Sequence, residues 1–347
     1  MEEQTISGTG GFEVVEGLAA EDSLSSSLTV AGGAGSADSQ WQTRPQSSSK
    51  SQDNGGAAPT GVVPEGDLAR NALPVRVMPE KAAGYRSFVA LGDSFTEGMV
   101  DKLPDGSLRG WADLVAARLS SLHPEFRYAN LAVRGRLVKQ ISADQVPMAL
   151  RMGADLVSLA TGLNDVARPG CDLDAIGRYL EQCVATLTAA GVRVVMFQSV
   201  DFRYRMPSLR RFAPRVIRLG EMVEDLRDRY GVVVVDLSVE RIFDDPRLWA
   251  PDRVHLATEG HRRIAEAVLE SLGYEPAFDW REPLPPRRRP WVIVRMYSNV
   301  VWTVRFLAPW IRRRMTGRSS GDGLEAKRPE LTPVDFSGWA GKTGRTA

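Results

Sequence analysis

Cysteine is scarce in this chain: Cys171 and Cys183 are the only two among 347 residues. The residues between them carry Leu173, Ile176 and Leu180 at helical spacing, continued by Val184 and Leu187. A helix of that length rises roughly 18 Å, far more than the separation of about 4.4–6.8 Å that a disulfide tolerates. A disulfide framework is excluded, and with no histidine beside either thiol so is a cysteine metal motif. The start, Met-Glu-Glu-Gln-Thr, lacks the basic residues and unbroken apolar run of a secretory signal, so the expected location is the cytoplasm, with room for a peripheral membrane contact. The most apolar stretch, residues 291–311, is interrupted by Arg295, Arg305 and Pro309. Spanning a bilayer would bury two charges at about 2.5–3.5 kcal/mol each, so a transmembrane reading fails.

Net charge is also nearly absent, at +1, but it is unevenly spread. Residues 281–318 hold ten Arg against one acid, Glu282, so that segment carries +9 and the remainder 1 − 9 = −8. It forms a basic, Trp-rich helical extension flanked by Arg287-Arg288-Arg289 and Arg312-Arg313-Arg314. Two roles fit it: packing of Trp302, Phe306, Leu307 and Trp310 on the preceding domain, or peripheral contact of residues 291–314 with a membrane surface. No folded recognition motif accompanies the basic residues, and no nucleic-acid partner is expected.

Residues 1–80 are rich in Gly, Ser, Ala and Gln and poor in large apolar residues, which predicts a disordered leader. Residues 319–347 have a similar character and predict a disordered tail. Between them, short continuous apolar runs recur at Phe88 to Leu91, Tyr128 to Val133, Leu156 to Ala160, Val192 to Phe197 and Val232 to Val235. Such runs suit strands buried on both faces. Segments of helical period separate them: Trp111 to Leu122, Leu137 to Met152, Leu173 to Ala190 and Leu209 to Tyr230. A last helix, Glu259 to Leu272, has Thr258 placed to cap it. The alternation predicts an α/β fold over residues 85–275: a three-layer α/β/α sandwich on a five-stranded parallel sheet.

Four short motifs stand at predicted strand ends or just before the closing helix: Gly92-Asp93-Ser94, Asn130 to Gly135, Gly162-Leu163-Asn164-Asp165, and Asp252-Arg253-Val254-His255. A serine hydroxyl becomes an effective nucleophile when a base lies within hydrogen-bond reach and a third group holds that base in the right tautomer. Of three histidines, His123 precedes a proline at a helix end and His261 falls inside the closing helix, which leaves His255 as the base. Asp252, three residues earlier, can accept the other imidazole N–H across a tight turn. Oxyanion donors would be the backbone N–H groups of Ser94 and Gly135 and the side-chain amide of Asn164.

Taken in order, these motifs resemble the SGNH hydrolases, the GDSL-type esterases and lipases, in which Ser, Gly, Asn and His come from separate blocks. The resemblance covers Ser87 to Leu272 and implies a flavodoxin-like fold. It also implies ester hydrolysis through an acyl-serine, with no metal or organic cofactor and a small-molecule, lipid or carbohydrate ester as substrate. No G-x-S-x-G elbow surrounds Ser94, in keeping with that family rather than the α/β-hydrolases. Two rivals remain open: transfer of the acyl group to a hydroxyl other than water, and a non-catalytic ligand- or membrane-binding protein on the same scaffold.

Overall fold

Five of the six strands come from the apolar runs: β1 (Ser87–Gly92), β2 (Arg127–Asn130), β3 (Leu156–Ala160), β4 (Arg193–Gln198) and β5 (Val233–Asp236). The computed structural model describes residues 84–203, 206–286, 291–309 and 320–334. All of these belong to one compact unit, Gly66–Ala347. The leader expected over residues 1–80 lies outside the described residues.

The sheet runs β5-β4-β3-β1-β2, with all four pairings among these strands parallel. Alternate residues of each strand face opposite helical layers. Phe88 and Ala90 of β1 join Tyr128, Leu156, Val195 and Val235 under α2 (Trp111–Leu122) and α7 (Thr258–Ser271). Val89 and Leu91 face the other way, with Val157, Leu159 and Met196. That layer is closed by α3 (Val146–Met152), α5 (Leu173–Ala189) and α6 (Ala213–Tyr230). Cys183 is fully buried there as a small apolar side chain, and both cysteines are free. Two further short helices, α1 (Ser94–Glu97) and α4 (Leu163–Val166), sit directly after β1 and β3. The strand order reverses at the centre, so the carboxyl ends of β1 and β3 frame the crevice where such sheets bind ligands.

The structure corrects three expectations. The sheet has six strands, because β6 (Arg328–Pro333) pairs antiparallel with β2. Its sequence, Arg-Pro-Glu-Leu-Thr-Pro, has no apolar alternation and falls where a disordered tail is expected over residues 319–347. An edge strand tolerates this composition, since the N–H groups its prolines lack can face away from the sheet. The register shifts between Tyr128 and Asn130, and the Arg328 guanidinium donates to the Tyr128 carbonyl at 3.0 Å. Second, the predicted helix from Leu137 to Met152 contains a π-turn, Ile141–Gln145, between α-helical pieces. Third, Thr258 does not cap α7; its hydroxyl donates to the buried Asp101 carboxylate at 2.6 Å, and Ala257 occupies the cap.

The folded unit also runs past the expected boundary near residue 275. Trp280 is buried in the α2/α7 layer, and Arg263 donates to the Trp280 and Glu282 carbonyls. Beyond it, helix α8 (Val292–Trp302) begins the basic extension.

Candidate active site

Ser94 opens α1 immediately after β1. Asp93 caps that helix through one carboxylate oxygen, which accepts from the Phe95 N–H at 3.1 Å. The strand end is clamped from the opposite layer: Gln145 accepts from the Gly92 N–H at 2.8 Å and donates to the Gly92 carbonyl at 3.0 Å. Gln145 reaches inward from the π-turn, where the widened helix carries its amide to the strand that holds the serine.

His255 comes from the loop before α7, and its Nε2 lies 3.0 Å from the Ser94 hydroxyl across 161 positions of sequence. Its Nδ1 lies 2.6 Å from an Asp252 carboxylate oxygen. The other Asp252 oxygen accepts from the Val254 and His255 backbone N–H groups at 2.9 and 3.0 Å. One carboxylate thus holds both the turn and the imbedded imidazole it contains. Arg253, between them, adopts a positive φ of 63°, a strained conformation for a residue with a side chain. Burial pushes the Asp252 carboxyl up, but its bond to His255, the charge of that histidine and the two N–H groups outweigh burial and set it below its ordinary value.

Asn164 enters from α4, behind Gly162, whose φ of 103° and close approach to Leu219 leave no room for a side chain. Its amide donates to the second Asp93 oxygen at 2.7 Å and to the Arg136 carbonyl at 3.3 Å. Asp93 therefore does more than shape its own turn, since it joins the serine block to the asparagine block. Burial raises its carboxyl to about 6, against the Phe95 N–H and the His255 charge. Gly135 sits in the left-handed region at a φ of 76°. The preceding residue, Arg134, ties this turn to the end of α1 by donating to Glu97 from its backbone N–H and its guanidinium. That pairing uses Arg134 to hold the turn.

Ser94, Asp252 and His255 are thus in one hydrogen-bonded chain, and Asn164 is joined to the serine through Asp93. Sequence reading did not identify Gln145, Glu97 or the Asp93–Asn164 bond. Each is a contact between residues far apart in the chain, and no local pattern signals it.

The other two histidines are not members of that hydrogen-bonded chain. His261 is buried in α7, where its Nδ1 accepts from the Trp111 N–H at 3.2 Å. Burial drives the imidazole down to about 4 despite the nearby Asp101 carboxylate. An unfolded histidine takes its proton near 6.5, so the stability due to His261 is complete above that pH and is lost as pH falls through 4. His261→Asn keeps an acceptor and removes the titration. Its stability relative to wild type should improve by about 3 kcal/mol between pH 7 and pH 4, measured as denaturant midpoints at each pH. An unchanged difference would refute a buried neutral His261.

The residues that carry this site lie within a stretch similar to known proteins. The model of the GDSL-like lipase/acylhydrolase family matches residues 90–263, half of the chain. An acetylxylan esterase of Geobacillus stearothermophilus is 26% identical, over 56% of this chain and 97% of its own length. Among solved structures, an α/β hydrolase enzyme from the metagenome of Lake Arreo, Spain, is 23% identical, with a TM-score of 0.47 over 56% of this chain and 97% of that one. An acetyl xylan esterase structure from Geobacillus stearothermophilus is 21% identical, with a TM-score of 0.48 over 57% and 99%. The match spans the strand ends that carry Ser94, Gly135 and Asn164 and the loop that carries His255, and the chain belongs to the GDSL-like lipase/acylhydrolase family of carboxylic ester hydrolases.

Proposed function

We propose that the protein cleaves carboxylic esters through an acyl-serine, with Ser94 as nucleophile, His255 as general base and then acid, and Asp252 as the group that orients the imidazole. The observation that carries this reading is the continuous chain from the Ser94 hydroxyl through His255 to Asp252, at 3.0 and 2.6 Å. Neutral His255 takes the hydroxyl proton as Ser94 attacks the ester carbonyl. The imidazolium formed is stabilised by Asp252, which stays ionised because its carboxyl is held low. The proton passes to the departing alcohol, and water, activated by the same histidine, releases the acid.

The oxyanion is received by the Ser94 N–H, the Gly135 N–H and the Asn164 amide. The first N–H groups of a helix have no intrahelical partner, which suits Ser94 to that role. For Asn164, the longer of its two bonds, to the Arg136 carbonyl at 3.3 Å, is the one that yields to the developing charge. Its shorter bond, to Asp93 at 2.7 Å, keeps the amide tied to the residue before the serine. Asn164→Ala should lower kcat by about 10²–10³ with a smaller change in KM, because the lost bond strengthens in the transition state. Steady-state kinetics on an aryl ester check this, and a fall in kcat below tenfold would remove Asn164 from the oxyanion site.

A carbohydrate or other small-molecule ester is the substrate class we favour, in line with the acetylxylan esterase relative. Leu163, exposed next to Asn164, offers an apolar wall for a short acyl group. Covalent labelling by a fluorophosphonate, located by peptide mass on Ser94, tests the nucleophile. Failure of the folded protein to react there would overturn the reading.

A further inference from the structure

Helix α8 presents two unlike faces. At about 100° per residue, Ser298, Asn299 and Trp302 share one side of the helix and Met296, Tyr297, Val300 and Val301 the opposite one, while Val304, exposed like them, lies in the π-turn Thr303–Leu307 that continues the helix. The first side is docked. Trp302 is buried, and its indole N–H donates to the Asp252 carbonyl at 2.7 Å. Arg253 donates to Asn299 at 2.8 Å and to Ser298 at 3.2 Å, and its guanidinium lies over the Trp302 ring. The second side is open and apolar: Met296 is 63% exposed, Tyr297 72%, Val300 63% and Val304 68%. Trp291, at the start of the helix, is 83% exposed.

We propose that this open face docks on an anionic lipid surface, with the helix lying in the membrane plane. Charge complementarity selects that occupant. Between Glu282 and Asp322 the chain holds nine Arg and no Asp or Glu. A second copy of the chain would add the same positive charge to the complex instead of neutralising it. Anionic headgroups neutralise them while the acyl boundary takes the aromatic and aliphatic side chains. Among the described residues no helix is long and apolar enough to cross a membrane, which leaves the surface orientation. Packing on the domain and contact with lipid are therefore not alternatives here, since each uses a different side of α8. The docked side touches the backbone of Asp252, so binding carries the Asp252–His255 loop to the membrane. The inference does not rest on the catalytic reading, because lipid binding is measured without turnover.

The test is sedimentation of the full-length protein with vesicles. Vesicles of equal parts phosphatidylglycerol and phosphatidylcholine should carry down the protein at low salt at least about tenfold better than pure phosphatidylcholine. Val300→Asp combined with Val304→Asp should reduce that partitioning by at least about tenfold, while aryl ester turnover stays unchanged. If the double variant also loses turnover, Tyr297→Ser supplies the same comparison at a single exposed position. Absence of binding, equal binding to both vesicle types, or full binding by the variants overturns the proposal. A dimer that the double variant dissolves, in a protein that ignores vesicles, would assign the face to a second copy instead.

Discussion

Ser94→Ala should lower kcat on a simple aryl ester by about 10⁵–10⁶-fold and abolish fluorophosphonate labelling, with the fold intact. The size of the effect follows from the proposed role of the Ser94 hydroxyl, which among the described residues is the hydroxyl hydrogen-bonded to His255 Nε2, at 3.0 Å. The fold should survive because what holds this corner does not pass through the serine hydroxyl. Asp93 caps α1 through the Phe95 N–H, and Gln145 clamps Gly92 on both its backbone groups. Thermal denaturation should therefore place the variant within about 0.5 kcal/mol of wild type. Retention of more than about one part in a hundred of the activity would exclude Ser94 as the nucleophile, since such a residue cannot be missing at so small a cost. Loss of activity with a collapsed fold would instead show that the hydroxyl is structural.

The sheet was legible because buried parallel strands leave a distinctive trace. Leu156–Ala160 is an apolar run broken only by Ser158, and the structure places the strand on those five residues. At β2 the apolar run overshoots: the strand ends at Asn130, and Leu131, Ala132 and Val133 are buried in the loop that leads to Gly135. Apolar character reports burial, and here burial continues after the ladder stops. The edge strand β6 was illegible for the opposite reason, as its partner is on one side and two of its six residues, Pro329 and Pro333, are prolines, so neither burial nor propensity marks it. Besides its pairing with β2, long-range side-chain bonds secure that segment. Lys327 donates to the Asp113 carboxylate and the Glu97 carbonyl, both at 2.6 Å, on the far side of α1 from the serine.

The site was legible to the extent that its chemistry is carried by residue type. Ser94, His255 and Asp252 are few-choice residues: three histidines leave little to decide, and a carboxylate three residues before one of them fits a turn. The supports are another matter. An inward glutamine such as Gln145 depends on a π-turn that a helical period conceals, and Glu97 depends on which arginine the fold brings to it. These contacts are products of tertiary structure, so the residues proposed as nucleophile and base can be singled out by type while the contacts that hold them cannot.

The second large effect concerns that aim. Asp252→Asn should lower kcat by about 10⁴-fold and leave KM nearly unchanged. The asparagine can keep one oxygen where Asp252 accepts from the Val254 and His255 N–H groups, so the turn survives. Its amide nitrogen then faces His255 Nδ1, where the carboxylate oxygen stood at 2.6 Å. A donor there forces Nδ1 to accept, which moves the imidazole proton to Nε2 and points an N–H at the Ser94 hydroxyl. That tautomer cannot take the serine proton, and the imidazolium of the transition state loses its counter-charge as well. Asp252→Ala removes the turn bonds too, so it should add a loss of stability that the asparagine variant avoids. Lowering the pH cannot mimic either variant near neutrality, because the His255 bond and charge keep the Asp252 carboxyl below its ordinary value. If Asp252→Asn stays within about tenfold of wild type in kcat, the carboxylate is only a turn cap, and the histidine takes its tautomer from elsewhere.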